Sequence, residues 1–408
     1  MSVEAKEANI AFLNDLWGLY KADIAAQRSF DVSKIDALAN NPLSYLQKFD
    51  GDAAQVALNE KLVDSVRTRI DSKAYLMEIF GENDKKNSFN QIDFQKYLKL
   101  TRSPVLPSNQ SDAVAVIVAK GIIRDGTHKE GTIGGDSLSK LIAKARNDDS
   151  VKSLVLRVDS RGGSAFASEL IRQEVLETKK AGKPVIVSMG SYAASGGYWI
   201  SANADEIWAA PTTITGSIGV FGLFPTLEKP FNDILGIYRD GVGTNTLTGG
   251  IDIMSGVRPE LGNMIQLSVE TIYDKFLTLV AEGRGMEKEE VDKIAQGRVW
   301  SGQKAMELGL VDKIGELEDA IAAAATKANL ENYEVKHIKR ELSPKEQLMQ
   351  EILQTSTAAW VGDDFSTLSN QQSFIDKLKQ NMAEELQIIE SFDDPNHIYA
   401  HCFCSLEN

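Results

Sequence analysis

Apolar residues recur at helical spacing in two widely separated stretches of the chain. Ile10, Leu13, Trp17, Tyr20 and Ile24 share one face of a helix within residues 10–39. Ile265, Val269, Tyr273, Phe276 and Val280 do the same within residues 265–295. In each stretch an arginine and a shorter second helix follow. Arg28 and Arg284 lie 256 positions apart, and the same separation pairs Ile35 with Val291, Asp36 with Asp292 and Ala39 with Ala295. Residues 55–64 then match residues 303–312 at a separation of 248, so the earlier stretch carries about eight extra residues. Two ordered landmarks with one small insertion predict a tandem duplication. The second copy is expected over residues 112–340. Residues 1–103 are expected to be the mostly helical last third of a truncated first copy.

Between these helical stretches the pattern changes. Residues 113–119 form a short, β-branched apolar run, which predicts a buried strand. Helical spacing follows over 138–147, a strand over 151–158, a helix over 165–181 and a strand over 184–188. A helix is expected from about Ala194, with further strands over 207–209 and 218–221. Strands alternating with helices predict an α/β fold, a parallel sheet with flanking helices. Pro and Ser gather in residues 101–112, so a linker is placed at 104–111. Residues 341–408 read as a C-terminal extension, helical or partly disordered, with Leu348, Ile352 and Leu353, then Phe374, Ile375, Leu378 and Met382, hinting at amphipathic helices.

Composition narrows the function classes. Of 408 residues, 43% are hydrophobic and 25% charged, enough apolar material for a sizeable core. The net charge of −14, with no basic block, argues against nucleic acid and anionic membrane surfaces as partners. No stretch approaches the roughly 18 apolar residues of a membrane span, and the charged first residues do not form a signal peptide. The two cysteines, Cys402 and Cys404, exclude a disulfide framework. With His397 and His401 they form a cluster, but the spacing fits no familiar zinc site, and neither a metal nor a cofactor is expected.

Two strand-to-helix junctions carry candidate chemistry. Asp159-Ser-Arg-Gly-Gly-Ser-Ala165 places adjacent glycines, Gly162 and Gly163, where positive φ and close backbone approach are possible. Their amides, at a helix start, can donate to a developing oxyanion; alone, the run also fits an ordinary glycine-rich turn. In Ser188-Met-Gly-Ser-Tyr-Ala-Ala-Ser-Gly-Gly-Tyr198, small residues crowd Ser195 and Gly196 follows it. A serine at a helix start gains from the helix dipole, and its neighbours leave room for a peptide. Close packing of a small-residue helix on the sheet explains the same pattern equally well.

Taken together and in order, the two junctions resemble the protease IV family of bacterial signal peptide peptidases. The runs that carry the resemblance are Ser160-Arg-Gly-Gly-Ser164, Ala194-Ser-Gly-Gly-Tyr-Trp-Ile200, Thr215-Gly-Ser-Ile-Gly-Val220, Gln296-Gly-Arg-Val-Trp-Ser-Gly302, Gly309-Leu-Val-Asp312 and Asp394-Pro-Asn-His-Ile-Tyr399. Arg161 stands where the family usually has proline. The resemblance implies a fold like that of ClpP and the crotonases. It implies a serine endopeptidase anchored in the bacterial inner membrane, working on the periplasmic side on remnant signal peptides, with four subunits of two tandem copies each. It makes Ser195 the nucleophile, Ser217 the residue that orients a lysine, and Gly162, Gly163 and Gly196 the oxyanion hole. The peptide is then expected to lie extended beside Gly162 and Gly163, in an apolar pocket for which Tyr192, Trp199, Ile218, Phe221 and Leu223 are candidates; plain core packing is the alternative for most of them.

The base is harder to place. The family uses a Ser-Lys dyad, with burial keeping the lysine neutral. A histidine base is disfavoured: His128 lies in a polar loop, and His337, His397 and His401 lie beyond the expected fold. No lysine occurs between Lys229 and Lys275. Carrying the two-copy pattern across the repeat puts the lysine upstream of Met1, so the chain is expected to hold the nucleophile and lack the base. A first-copy chain supplying that lysine is one possible partner. Lys120 and Lys229 are fallback candidates, each readable as a surface residue. Two rivals remain: an inactive remnant or assembly subunit, and a crotonase-like acyl-CoA enzyme, which needs no serine at 195.

Overall fold

A computed structural model of the chain describes residues 2–50, 52–83, 88–101, 112–224, 226–238, 251–252, 256–340, 393–395, 397–402 and 404. The helices expected over 341–392 lie outside the described residues. The chain divides into two compact units, one of Met1–Leu13 with Ser111–Asn408 and one of Asn14–Gln110.

The first part is helical: α1 (Val3–Arg28), α2 (Ser33–Asn40), α3 (Pro42–Gln47), α4 (Ala53–Asn59), α5 (Arg69–Phe80) and α6 (Phe94–Thr101). Local chemistry starts these helices. Asp52 accepts from the Ala54 and Gln55 amides ahead of α4, and Thr68 accepts from the Asp71 amide ahead of α5. Trp17 donates to Asp36 at 2.8 Å, and Arg28 forks onto Asp64 while its Nε donates to the Lys61 carbonyl.

The rest begins with β1 (Ala113–Lys120), β2 (Ile123–Arg124), β3 (Ile133–Gly134), α7 (Gly135–Asn147), β4 (Val151–Ser160), β5 (Gly162–Ser164) and α8 (Ala165–Lys180). It continues through β6 (Val185–Ala194), α9 (Gly196–Trp199), β7 (Glu206–Ala209), β8 (Ile214–Gly216), β9 (Phe221–Gly222), β10 (Ile251–Asp252) and β11 (Gly256–Val257). It ends in α10 (Pro259–Arg284), α11 (Lys288–Ile294), β12 (Val299–Ser301), α12 (Gly302–Glu307), β13 (Lys313–Ile314), α13 (Leu317–Lys327), β14 (Glu334–His337) and β15 (Ile398–His401). Here Tyr273 donates to Asp292 at 2.6 Å, and Arg284 forks onto Asp312 with its Nε on the Gly309 carbonyl. These contacts join the residues that correspond, across the sequence repeat, to Trp17, Asp36, Arg28, Asp64 and Lys61.

The main sheet runs β12-β8-β6-β4-β1-β14, with β7 beside β6 and β13 beside β7. All its pairings are parallel except β12 with β8. The α/β architecture expected from the sequence is therefore present. The sheet is buried on both faces, which is why β1 is apolar from Ala113 to Ala119 and β4 is apolar over Leu154, Val155 and Leu156 at its centre. One face packs Leu154, Leu156, Val187 and Ile207 against Ile142, Ile171, Val175 and Phe276. The other packs Val114, Val116, Val155 and Ile186 against the alanine stripe Ala320, Ala324 and Ala325 of α13. A second sheet runs β3-β2-β5-β15-β9.

Two expectations need correction. The strand expected over 218–221 is instead β8 at Ile214–Gly216 and β9 at Phe221–Gly222, because Gly216 (φ 77°) and Ser217 (φ 48°) turn the chain between them. The helix expected from about Ala194 is α9, which starts at Gly196 because β6 extends to Ala194, where Tyr192, Ala193 and Ala194 pair with β8. The later histidines do not lie beyond the fold: His337 ends β14 and pairs with Val116 of β1 in the main sheet, His401 ends β15 in the second sheet, and His397 directly precedes β15. Cys402 and Cys404 are bonded to each other, a local link and not a framework.

Candidate active site

The register of β4 with β6 slips between Val158 and Ser160. Val158 pairs with Met189, but Ser160 pairs with Ala193, so β6 carries two extra residues at this point. Asp159 steadies the irregularity by accepting from the Tyr192 amide at 3.2 Å. The end of β6 is thereby offset, and the chain turns sharply at Ser195 into α9.

Ser195 has φ 56° and ψ −116°, a sparsely populated region for a residue with a side chain. Its amide donates to the Gly216 carbonyl at 2.8 Å, and its carbonyl accepts from the Trp199 amide at 2.8 Å. These two bonds hold the strained turn from either side. Ser195 is 1% exposed, and its Oγ lies 3.5 Å from the Gly219 carbonyl oxygen. That contact is long for a hydroxyl donor, so the hydroxyl is only weakly engaged. Thr215, on the neighbouring strand, ties back to the Ala193 carbonyl at 2.7 Å.

The glycines around it have steric reasons. A Cβ on Gly196 would sit 2.7 Å from Ser168 Oγ, 3.0 Å from the Ala400 oxygen and 3.1 Å from Gly162 Cα. Gly162 has φ 95°, and a Cβ there would lie 2.0 Å from the Ala400 oxygen and 2.6 Å from the Gly196 nitrogen. The Gly162 and Gly196 backbones thus face each other beside Ser195. The Gly162 amide itself donates to Ser160 Oγ at 3.0 Å. Gly163, at φ 154°, comes within 2.0 Å of the Ile123 oxygen by the same measure.

Ser217 is 6% exposed, and its amide donates to the Arg298 carbonyl at 2.7 Å. Among the pocket candidates, Trp199 and Ile218 are wholly buried. Trp199 packs on Phe276 and donates to Glu169 at 2.9 Å. Tyr192 is half-buried under the Arg161 guanidinium, 4.4 Å from the ring centre. Phe221 and Leu223 are also half-buried, and Phe221 meets Tyr399 at 5.8 Å between ring centres. Lys120 is 70% exposed and 3.8 Å from Asp159; Lys229 is exposed. His128 reaches the Asp125 carbonyl, 2.8 Å away.

Sequence reasoning missed the strand that borders this site. Asp394, 2% exposed, accepts from Ser164 Oγ at 2.6 Å and from the Phe166 amide at 3.0 Å. It thus binds the start of α8, where the helix dipole favours a negative charge. His401 pairs with Gly162 in the sheet, and burial lowers its pKa to about 4. Its signal was the run beginning at Asp394, visible as a motif but not as part of the site.

Residues 177–331, which include Ser195 and Ser217, match the model of peptidase family S49. A putative protease of Synechocystis is 34% identical over 223 residues, 53% of this chain and 75% of that protein. The chain belongs to peptidase family S49. Protease 4 of Salmonella typhi is 37% identical over 402 residues, 98% of this S49 chain and 63% of that protein. Protease 4 of Haemophilus influenzae is 37% identical over 417 residues, 98% of this chain and 65% of that protein. The S49 chain therefore spans somewhat under two thirds of the length of these two relatives. Among solved structures, a membrane-bound stomatin-specific protease aligns with 60% of the chain and 99% of its own, at 20% identity and a TM-score of 0.37. Among the described residues, no helix is long and apolar enough to cross a membrane.

Proposed function

We propose that this chain is the nucleophile-bearing part of a serine endopeptidase, with Ser195 as nucleophile and remnant signal peptides as substrates. The observation that carries the reading is the strained turn at Ser195, held by the Gly216 carbonyl and followed by the close-packed Gly196. A hydroxyl-bearing residue held at so sparsely populated a φ and ψ, where a slipped strand turns into a helix, is a mark of chemistry.

The proposed reaction uses this geometry. A neutral lysine amine takes the Ser195 proton as Oγ attacks the scissile carbonyl. The developing oxyanion is held by the Gly196 amide, with Gly162 and Gly163 on the facing backbone. For Gly162 to donate, its amide must leave Ser160 Oγ. The ammonium then returns its proton to the departing amine, and water releases the acyl group by the reverse sequence. Ser217 orients the lysine. The lysine belongs to a first-copy segment outside the described surroundings of Ser195, because Lys120 and Lys229 both face solvent. The paired contacts Arg28–Asp64 and Arg284–Asp312 support reading residues 1–103 as the end of that first copy. A membrane-associated, periplasmic tetramer is the assembly that fits this scheme.

The test is labelling of Ser195 by a fluorophosphonate probe, for the chain alone and after adding a lysine-bearing first-copy fragment. Labelling restored by the fragment, and lost in Ser195→Ala, is expected. Labelling that survives Ser195→Ala, or no labelling under either condition, overturns the reading.

A further inference from the structure

The strand β15 lies antiparallel between β5 and β9, with Tyr399 opposite Ser164, Ala400 opposite Gly163, His401 opposite Gly162 and Ile398 opposite Gly222. Main-chain bonds prolong the contact at both ends: the Cys402 amide donates to the Arg161 carbonyl at 2.7 Å, and the Leu223 amide to the His397 carbonyl at 3.2 Å. The Ala400 carbonyl oxygen points into the gap between Gly162 and Gly196, 2.0 Å and 3.0 Å from where their Cβ atoms would stand. Ala400 is fully buried.

An acyl-side substrate segment has three requirements at such a site. It must be extended, it must be bonded through its backbone on both edges, and it must turn a carbonyl toward the residue that follows the nucleophile. The strand meets all three. Taking the peptidase reading as its basis, we propose that β15 is an internal ligand of the peptide groove, holding the substrate's place until an extended peptide displaces it.

The strand is made for exchange. Gly162 and Gly163 offer it no side chains, so the pairing with β5 is largely main chain, and any extended peptide can make the same bonds. Ile398 and Tyr399 are buried and add side-chain contacts, and Asp394 fastens the strand to Ser164 and Phe166. Asp394 is therefore the latch. Loosening it should open the groove without altering Ser195 or its glycines.

The experiment measures binding of a fluorescein-labelled peptide with the sequence of residues 394–401 by anisotropy, on the full chain. The Asp394→Asn and Ala400→Pro chains are expected to bind at least tenfold more tightly than the unaltered chain. Equal affinities in all three overturn the proposal. A second measurement needs no variant: hydrogen exchange of the unaltered chain with and without excess peptide. Residues 398–401 should lose protection as the peptide binds; retained protection under saturating peptide overturns the proposal. Binding requires neither the lysine nor the Ser195 hydroxyl. Tighter binding without any Ser195 labelling therefore sinks the peptidase reading alone, and labelling without tighter binding sinks the internal-ligand proposal alone.

Discussion

Arg284 grips Asp312 with both terminal nitrogens, and its side chain is only 7% exposed, whereas the corresponding Arg28 and Asp64 are 25% and 89% exposed. The same fork is therefore worth different amounts in the two places. Removing one partner of a buried pair strands a charge, at a cost of about 3–5 kcal/mol, while exposed pairs contribute about 0–1 kcal/mol. Because Asp312 is 32% exposed, Arg284→Ala is expected to destabilise by about 2–3 kcal/mol. Arg28→Ala should cost under about 1 kcal/mol. Urea denaturation of the two variants checks the contrast; equal losses would contradict it.

Alanine at Gly162 or Gly163 should be far more damaging than at Gly182. All three have positive φ, which alone costs about 1 kcal/mol for a residue with a side chain. Only the first two would also drive a Cβ to within 2.0 Å of a carbonyl oxygen; at Gly182 the space is open. Thermal melts should show a small loss for Gly182→Ala and a loss of several kcal/mol for the others.

Burial pulls the His401 pKa down to about 4, Arg161 adds to the fall, and a hydrogen bond with the Gly162 backbone opposes it. The unfolded chain, with an imidazole pKa near the usual 6.5, therefore binds more protons between pH 6.5 and 4. Stability is full above about 6.5 and falls as pH drops toward 4, by about 2–3 kcal/mol in all. In His401→Asn this part of the pH slope should disappear from a denaturation series. A slope unchanged in the variant would assign it to other groups.

Glu169 behaves oppositely in character though not in direction of pH. Burial pushes its carboxyl up, but bonds from Arg172, Trp199 and Gln173 outweigh that and hold it at about 2. Its contribution is present above about pH 4.5 and is lost as pH falls toward 2. Glu169→Gln should thus cost roughly 1–3 kcal/mol at pH 7 and almost nothing at pH 2. A cost that does not change with pH would point to packing of Trp199 instead.

How much of this could be read from the chain depends on how far each feature reaches. β1 was legible because a strand buried on both faces calls for an unbroken apolar run, and β4 because Val151, Leu154, Val155, Leu156 and Val158 cluster in a β-branched-rich stretch. The small residues around Ser195 were visible because a crowded turn forces them, but the roles given to Ser195 and the glycines came from the family resemblance. The extension of β6 was not legible, since Ser191-Tyr-Ala-Ala194 has no alternation, and its strand state comes from pairing with β8. The break at Gly216 and Ser217 was missed because positive φ at a serine leaves no mark in composition. β15 was missed for a different reason: four residues in a polar tail acquire their meaning only from β5 and β9.

That distance also bears on the order of assembly. The contacts that hold Ser195 in its strained turn come from residues no more than 24 positions away. Asp394 meets Ser164 across 230. Loop-closure entropy grows with the logarithm of such a separation, and contacts of long sequence range slow folding. The reactive turn is thus set by short-range contacts and its covering strand by long-range ones. During refolding from denaturant, the groove beside Ser195 should be accessible to peptide before it is closed by the chain's own residues.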